Sequence, residues 1–168
     1  MSTQKLVRTS MFLAIALVFQ IGFRQFAQPL VGPLVNMTLI LATLVVGPIS
    51  AIIIGIITPL VAFILGIVSV PFLVPLIAIG NALFVGCFYI AKKNIKVTWS
   101  SWPSILIASV VKFGFLFVAA RALLPLVLPK VPAPLLATFS LPQLYTALLG
   151  GAIAIIIYRF LPATDEWL

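Results

Sequence analysis

QFAQPLVGPLVNMTLILATLVVGPISAIIIGIITPLVAFILGIVSVPFLVPLIAIGNALFVGCFYIA, residues 25–91, contains no Lys, Arg, Asp or Glu. Soluble domains carry a charge at about a quarter of their positions, so an uncharged stretch of this length has no place in water. A membrane-spanning helix needs about 20 apolar residues, which gives room here for about three crossings. Prolines and glycines mark the breaks between them. Strands of a membrane barrel would alternate in polarity. The run AIIIGII at residues 51–57 does not alternate, so the crossings are read as helices.

The rest of the chain extends this pattern. Of 168 residues, 64% are hydrophobic and 7% charged, an excess no soluble core absorbs. The length suits one domain, residues 1–168. The expected fold is an all-α bundle of about six transmembrane helices, near 6–24, 33–47, 49–68, 72–91, 103–124 and 143–160. The start of the second helix could lie nearer Pro29. Lys5 and Arg8 lead into an apolar run with no small-residue cleavage site before Arg24, so this run is read as the first helix rather than a signal peptide. Pro48, Pro71 and Pro103 lie at or near expected helix starts, where proline is tolerated. Pro59 and Pro75 fall inside spans and would kink them. Residues 125–142 contain Pro125, Pro129, Pro132, Pro134 and Pro142. That density predicts an irregular outer loop against the membrane surface or over a pocket.

The basic residues set a topology. The net charge of +8 would suggest nucleic acid in a soluble protein, but here Lys and Arg flank apolar runs. With Lys5 and Arg8 inside, six crossings place Lys92, Lys93 and Lys96 inside, together with Arg159 near the C-terminus. Both termini are then cytoplasmic, and five or seven helices would break the agreement. Trp99, Trp102 and Trp167 read as interfacial anchors. Cys87 is the single cysteine and reads as a packing residue, which excludes an internal disulfide and a cysteine zinc cluster. No inverted repeat is visible.

The missing chemistry excludes most alternatives. There is no His, and the only carboxylates are Asp165 and Glu166. No general base, metal site or nucleophile–base pair can be assembled from such a set, so an enzyme is not expected, nor any metal or cofactor. A titratable relay for proton coupling is also missing, as is a phosphate loop for ATP. If the chain moves a solute uphill, another subunit supplies the energy.

The candidate binding residues are the few polar groups in or beside the spans. Arg24 falls near the outer end of the first helix, with Gln25 and Gln28 in the loop after it. Asn36 is expected to open the second helix from outside, and Asn81 lies about halfway along the fourth. Lys112 is mid-span in the fifth, with Arg121 near its outer end; Gln143 and Tyr145 open the sixth. Arg24 and Arg121 could equally snorkel to headgroups, and Asn36 and Asn81 could be interhelical glue. Lys112 is harder to read as passive, because a cation at mid-membrane costs at least about 2.5 kcal/mol. Small residues at four-residue spacing recur, as at Ser10 and Ala14, Ala51 and Gly55, and Ala147 and Gly151, and permit close helix approach.

The chain resembles the S components of energy-coupling factor (ECF) vitamin transporters. LVRTSMFLAIALVF at residues 6–19 is similar to the family's first helix, with Ser10 and Ala14 where two alanines are usual. Residues 30–66 resemble its second and third helices, and PFLVPLIAIGNALFVGCFYIAKK at 71–93 its fourth, with Asn81 at an often polar position. The resemblance implies a vitamin-binding subunit of an ATP-driven, ABC-type importer in the bacterial cytoplasmic membrane. It implies docking through Ser10 and Ala14 on a membrane scaffold subunit that carries two cytoplasmic ATPases. It also implies a pocket from the first loop and the outer parts of helices four to six, hence Arg24, Gln25, Gln28, Asn81, Lys112, Arg121, Gln143 and Tyr145; Asn36 joins these substrate-binding candidates from its polar place in the second helix. These groups would suit a carboxylate ligand, which makes pantothenate the leading expectation. Cobalamin, folate and pyridoxine are alternatives, and thiamine would lack a counter-charge. From other classes, a small channel would need polar groups repeated along one pore, and a structural subunit would bind only lipid.

Overall fold

The computed structural model describes residues 2–128 and 130–161, and only the backbone of residues 26–28. Helix α1 spans Thr3–Gly22, and a single 3-10 turn at Arg24–Phe26 leads into α2, Ala27–Val45. Then follow α3 (Pro48–Ile64), α4 (Leu73–Asn94), α5 (Ser101–Val127), a short α6 (Ala133–Thr138) and α7 (Leu141–Phe160). There is no strand among the described residues. The protein is therefore an all-α membrane protein, as the unbroken apolar runs require. Helices satisfy every internal N–H and C=O within one segment, which lipid cannot do for them.

Among the described residues, four helical runs are long and apolar enough to cross a membrane: Thr3–Gly22, Leu73–Asn94, Ser101–Val127 and Ala133–Phe160. Pro29–Val45 and Pro48–Ile64 are apolar but shorter. Many large apolar side chains point outward, among them Met11, Val18, Ile64, Leu126 and Phe160. This surface suits acyl chains rather than water. The interior is held by close packing and a few polar links, since burial of apolar groups from lipid gives no driving force. The Thr9 and Ser50 hydroxyls, 2.9 Å apart, join the first halves of α1 and α3. Gly150 lets α7 lie directly on the α2 backbone, and Gly55 lets α3 lie on Asn81 of α4. One core cluster, including Leu39, Ile54, Phe84 and Phe88, fills the half of the bundle nearer the N-terminus. A second, including Leu73, Leu116, Leu124 and Phe139, closes the opposite end between α4, α5 and the segment after α6.

Several boundaries differ from expectation, each for a local reason. Helix α2 starts at Ala27 rather than 33, so Asn36 does not open it but lies well inside. Pro33 is accommodated within the helix, at the cost of one backbone donor. Helix α3 stops at Ile64 rather than 68. Gly66 adopts φ +68°, and the Ile67 amide turns back to the Ala62 carbonyl at 2.8 Å, which ends the helix. Residues 65–72 thus form a connection rather than a further turn of α3. Pro75 falls in the first turn of α4, where no N–H is missed, and it does not interrupt the span. Helix α5 runs through Pro125 to Val127, and the expected loop at 125–142 contains α6. Pro132 caps α6 and Pro134 sits in its first turn, a position where proline is pre-organised for helix.

Candidate functional site

A cavity of about 400 Å³ opens at the end of the bundle opposite the N-terminus. Its wall is built from the end of α1, the first turns of α2, the end of α3 and the 67–70 connection, the first half of α4, the middle of α5, α6, and the start of α7. These are the ends that an up-and-down bundle brings together. The basic residues Lys5, Arg8, Lys92, Lys93, Lys96 and Arg159 all belong to the other end.

At the base of the cavity lies Lys112, 4% exposed. Its ammonium donates to Asn36 Oδ1 at 2.6 Å and to Asn81 Oδ1 at 2.8 Å. Asn81 in turn donates through Nδ2 to the Gly55 carbonyl at 2.9 Å. One lysine thus ties α2, α3, α4 and α5 together. The Lys112 ammonium also stands 5.0 Å from the centre of the Phe84 ring, within range of a cation–π attraction. Two of its three N–H groups are used by the asparagines. No Asp or Glu exists among the described residues, so the charge meets amide dipoles and a ring face rather than a carboxylate. Beneath it the bundle is packed with Phe84, Phe88, Ile54 and Leu39, all fully buried.

The structure brings Arg24, Asn36, Asn81, Lys112 and Gln143 to this one cavity. Arg24 is exposed at the mouth. Gln143 is buried and donates through Nε2 to the Thr138 carbonyl at 3.2 Å, which ties α6 to α7. Three other candidates do not line the cavity. Gln25 is exposed beside it, and Tyr145 is 38% exposed on α7. Arg121 is engaged elsewhere: its guanidinium stacks 3.5 Å from the centre of the Phe117 ring and donates to Ser140 Oγ at 2.9 Å. Being exposed, it acts as a strap between α5 and the junction of α6 and α7. The Gln28 side chain, Asp165, Glu166 and Trp167 lie outside the described residues. No group of His, Cys, Asp or Glu able to hold a metal occurs among the described residues.

Of the polar residues lining the cavity, Gln20, Thr58, Ser69 and Thr138 were not singled out from sequence, and the first two stand out. Gln20 lies in the last turn of α1, four residues before Arg24, and Thr58 lies three residues beyond Gly55 on α3. Gln20 Oε1 and Thr58 Oγ1 are buried with no hydrogen-bond partner among the described residues. Leaving such an atom unpaired costs about 1–3 kcal/mol. An amide inside an otherwise apolar first helix was the available signal for Gln20. Thr58 gave none, because threonines are common in such helices.

Ser10 and Ala14, by contrast, are both exposed on α1, the least buried of the long apolar helices: only 11% of its apolar window is covered. Residues 4–162, nearly the whole chain, match the family model described as "ECF transporter, substrate-specific component". No curated protein matches the chain.

Proposed function

The chain belongs to the ECF transporter substrate-specific components, and from that premise we propose that its cavity captures a small carboxylate vitamin, pantothenate first among the candidates. The observation that carries this is Lys112, a buried ammonium at the cavity base with an N–H to spare and no acidic partner among the described residues. A carboxylate entering the cavity would meet Arg24 at the mouth and Lys112 at the base. Charge-assisted hydrogen bonds of that kind are strong where water is shielded. Ligand pockets usually measure roughly 300–1,000 Å³. At about 400 Å³ this one is sized for a small vitamin and is tight for a corrinoid, which favours pantothenate over cobalamin. The packed core under Lys112 favours a binding subunit over a channel.

A binding screen of the purified protein across pantothenate, folate, pyridoxine, biotin and cobalamin tests the proposal. Pantothenate should bind best. Arg24→Gln and Lys112→Met should each weaken it by about 1.5–3 kcal/mol, roughly ten- to 150-fold. Unchanged affinity in both variants would remove the carboxylate from the account and move cobalamin forward.

In this proposal α1–α5 and α7 cross a bacterial cytoplasmic membrane six times, with both termini inside and the cavity outside. The cluster of Lys92 and Lys93 in the last turn of α4 and Lys96 just after it supports that orientation through the positive-inside bias. A cysteine at Asn94 in a Cys87→Ala background should react in intact cells only with a membrane-permeant thiol reagent. Labelling by an impermeant reagent would invert the topology.

A further inference from the structure

We propose that Gln20 Oε1 and Thr58 Oγ1 form a second polar subsite in the cavity, one that takes hydroxyl or amide hydrogens of the ligand. The proposal rests on the cavity being the substrate site and adds what the ligand carries besides its acid.

Thr58 is 1% exposed, lines the cavity, and has a hydroxyl with no partner among the described residues. Gln20 presents a buried, equally unpartnered carbonyl oxygen to the same space. Most other buried helix hydroxyls are satisfied locally: Thr38, Thr43, Ser104 and Thr146 each donate to the carbonyl four residues back, and Ser109 Oγ, away from the cavity lining, is the exception. Thr58 does not, although the same kind of carbonyl lies behind it. Buried polar atoms are almost always paired, so two orphans on one cavity wall mark where a ligand supplies the partner.

Their chemistry restricts that partner. An amide oxygen only accepts, so Gln20 needs a donor, which a carboxylate is not. A threonine hydroxyl both donates and accepts, which matches a ligand hydroxyl. The cavity therefore divides into an anion-binding end, at Lys112 and Arg24, and a donor-reading wall at Gln20 and Thr58. The substrate class that fills both is a small hydroxy- or amido-acid, and a plain aliphatic acid fills only one. Rejection of the plain acid follows, because it would leave buried polar atoms unpaired.

Thr58→Val and Gln20→Met, singly and together, test this in the purified full chain. First, the unliganded variants should melt at the wild-type temperature or above, since a methyl replaces an unpartnered hydroxyl. A lower melting temperature would mean that the protein itself holds these groups, and would overturn the subsite. Second, pantothenate is compared with its analogue bearing hydrogen in place of both hydroxyls. The wild type should prefer pantothenate by about tenfold or more, and in the double variant the preference should shrink to about twofold or less. A preference that survives intact in the double variant overturns the subsite while leaving the vitamin reading in place. A wild type that binds none of the hydroxylated or amide-bearing acids overturns both.

Discussion

Gly150→Val is expected to abolish accumulation of folded protein. A Cβ at Gly150 would meet the Pro33 carbonyl oxygen, and would stand 2.8 Å from both Asn36 Cβ and the Met37 backbone nitrogen. Two of these three atoms are backbone, so no rotamer change relieves the clash. α2 and α7 form the most extensive helix pair in the molecule, and they would have to separate. Overpacking ordinarily costs about 1–3 kcal/mol, and a branched side chain against backbone should reach or exceed the upper figure. The displaced segment carries Asn36, so whatever folds should also lose the Asn36–Lys112 bond at the cavity base. Gly86→Ala is the control, because nothing lies within 4 Å of the point its new methyl group would occupy. Yield of monodisperse protein in detergent and its melting temperature decide the matter. Wild-type values for Gly150→Val would mean that the α2–α7 contact is not tight.

Ala14→Trp is expected to reduce uptake to background while leaving vitamin affinity unchanged. Under the proposed assignment the chain has no energy source of its own and accumulates vitamin only when coexpressed with its scaffold and ATPases. Ser10 and Ala14 share an outward face of α1 and leave space for a partner helix to approach closely. A tryptophan there fills that space. It touches nothing inside the bundle, so the fold should change by no more than about 0.5 kcal/mol. Uptake by coexpressing cells and binding by the purified variant are the two readouts. Loss of both would place Ala14 in the fold or the site, and retention of both would place docking elsewhere. Accumulation by the wild-type chain alone, without ATP, would sink the partner assignment.

The helical architecture was legible because the runs between prolines and glycines are long and uncharged. The helix ends were less so. The second helix was expected to start at 33 or nearer Pro29, and Pro33 proved to be an interior residue, on the turn where α7 packs. That shift begins α2 six residues earlier, which at 1.5 Å per residue carries Asn36 about 9 Å further from the helix start. A residue expected at the rim is therefore at the base. Proline density in 125–142 argued against helix, yet Pro132 and Pro134 start one. Arg121 looked like a ligand cation and is instead stacked on Phe117, four residues earlier on the same face. Lys112 and Asn81 stood out because polar groups at mid-span are costly, but nothing local paired them.

The amino-acid sequence by itself determined that this protein lives in a membrane as helices. Uncharged runs cannot be hydrated, and in lipid only a helix satisfies its own backbone, so both conclusions follow from single segments. It also determined the inventory of titratable groups, with no His and only two carboxylates, Asp165 and Glu166, since a count needs no geometry. Only the tertiary structure decided which polar groups meet. Each residue turns a helix by about 100°, so small changes in where a helix starts and how it rotates reassign a side chain from lipid to cavity. Those rotations are constrained by close helix contacts at Gly55 and Gly150, between segments far apart in the chain. Through them Lys112 reaches Asn36 and Asn81, and Gln20 and Thr58 come to face one cavity.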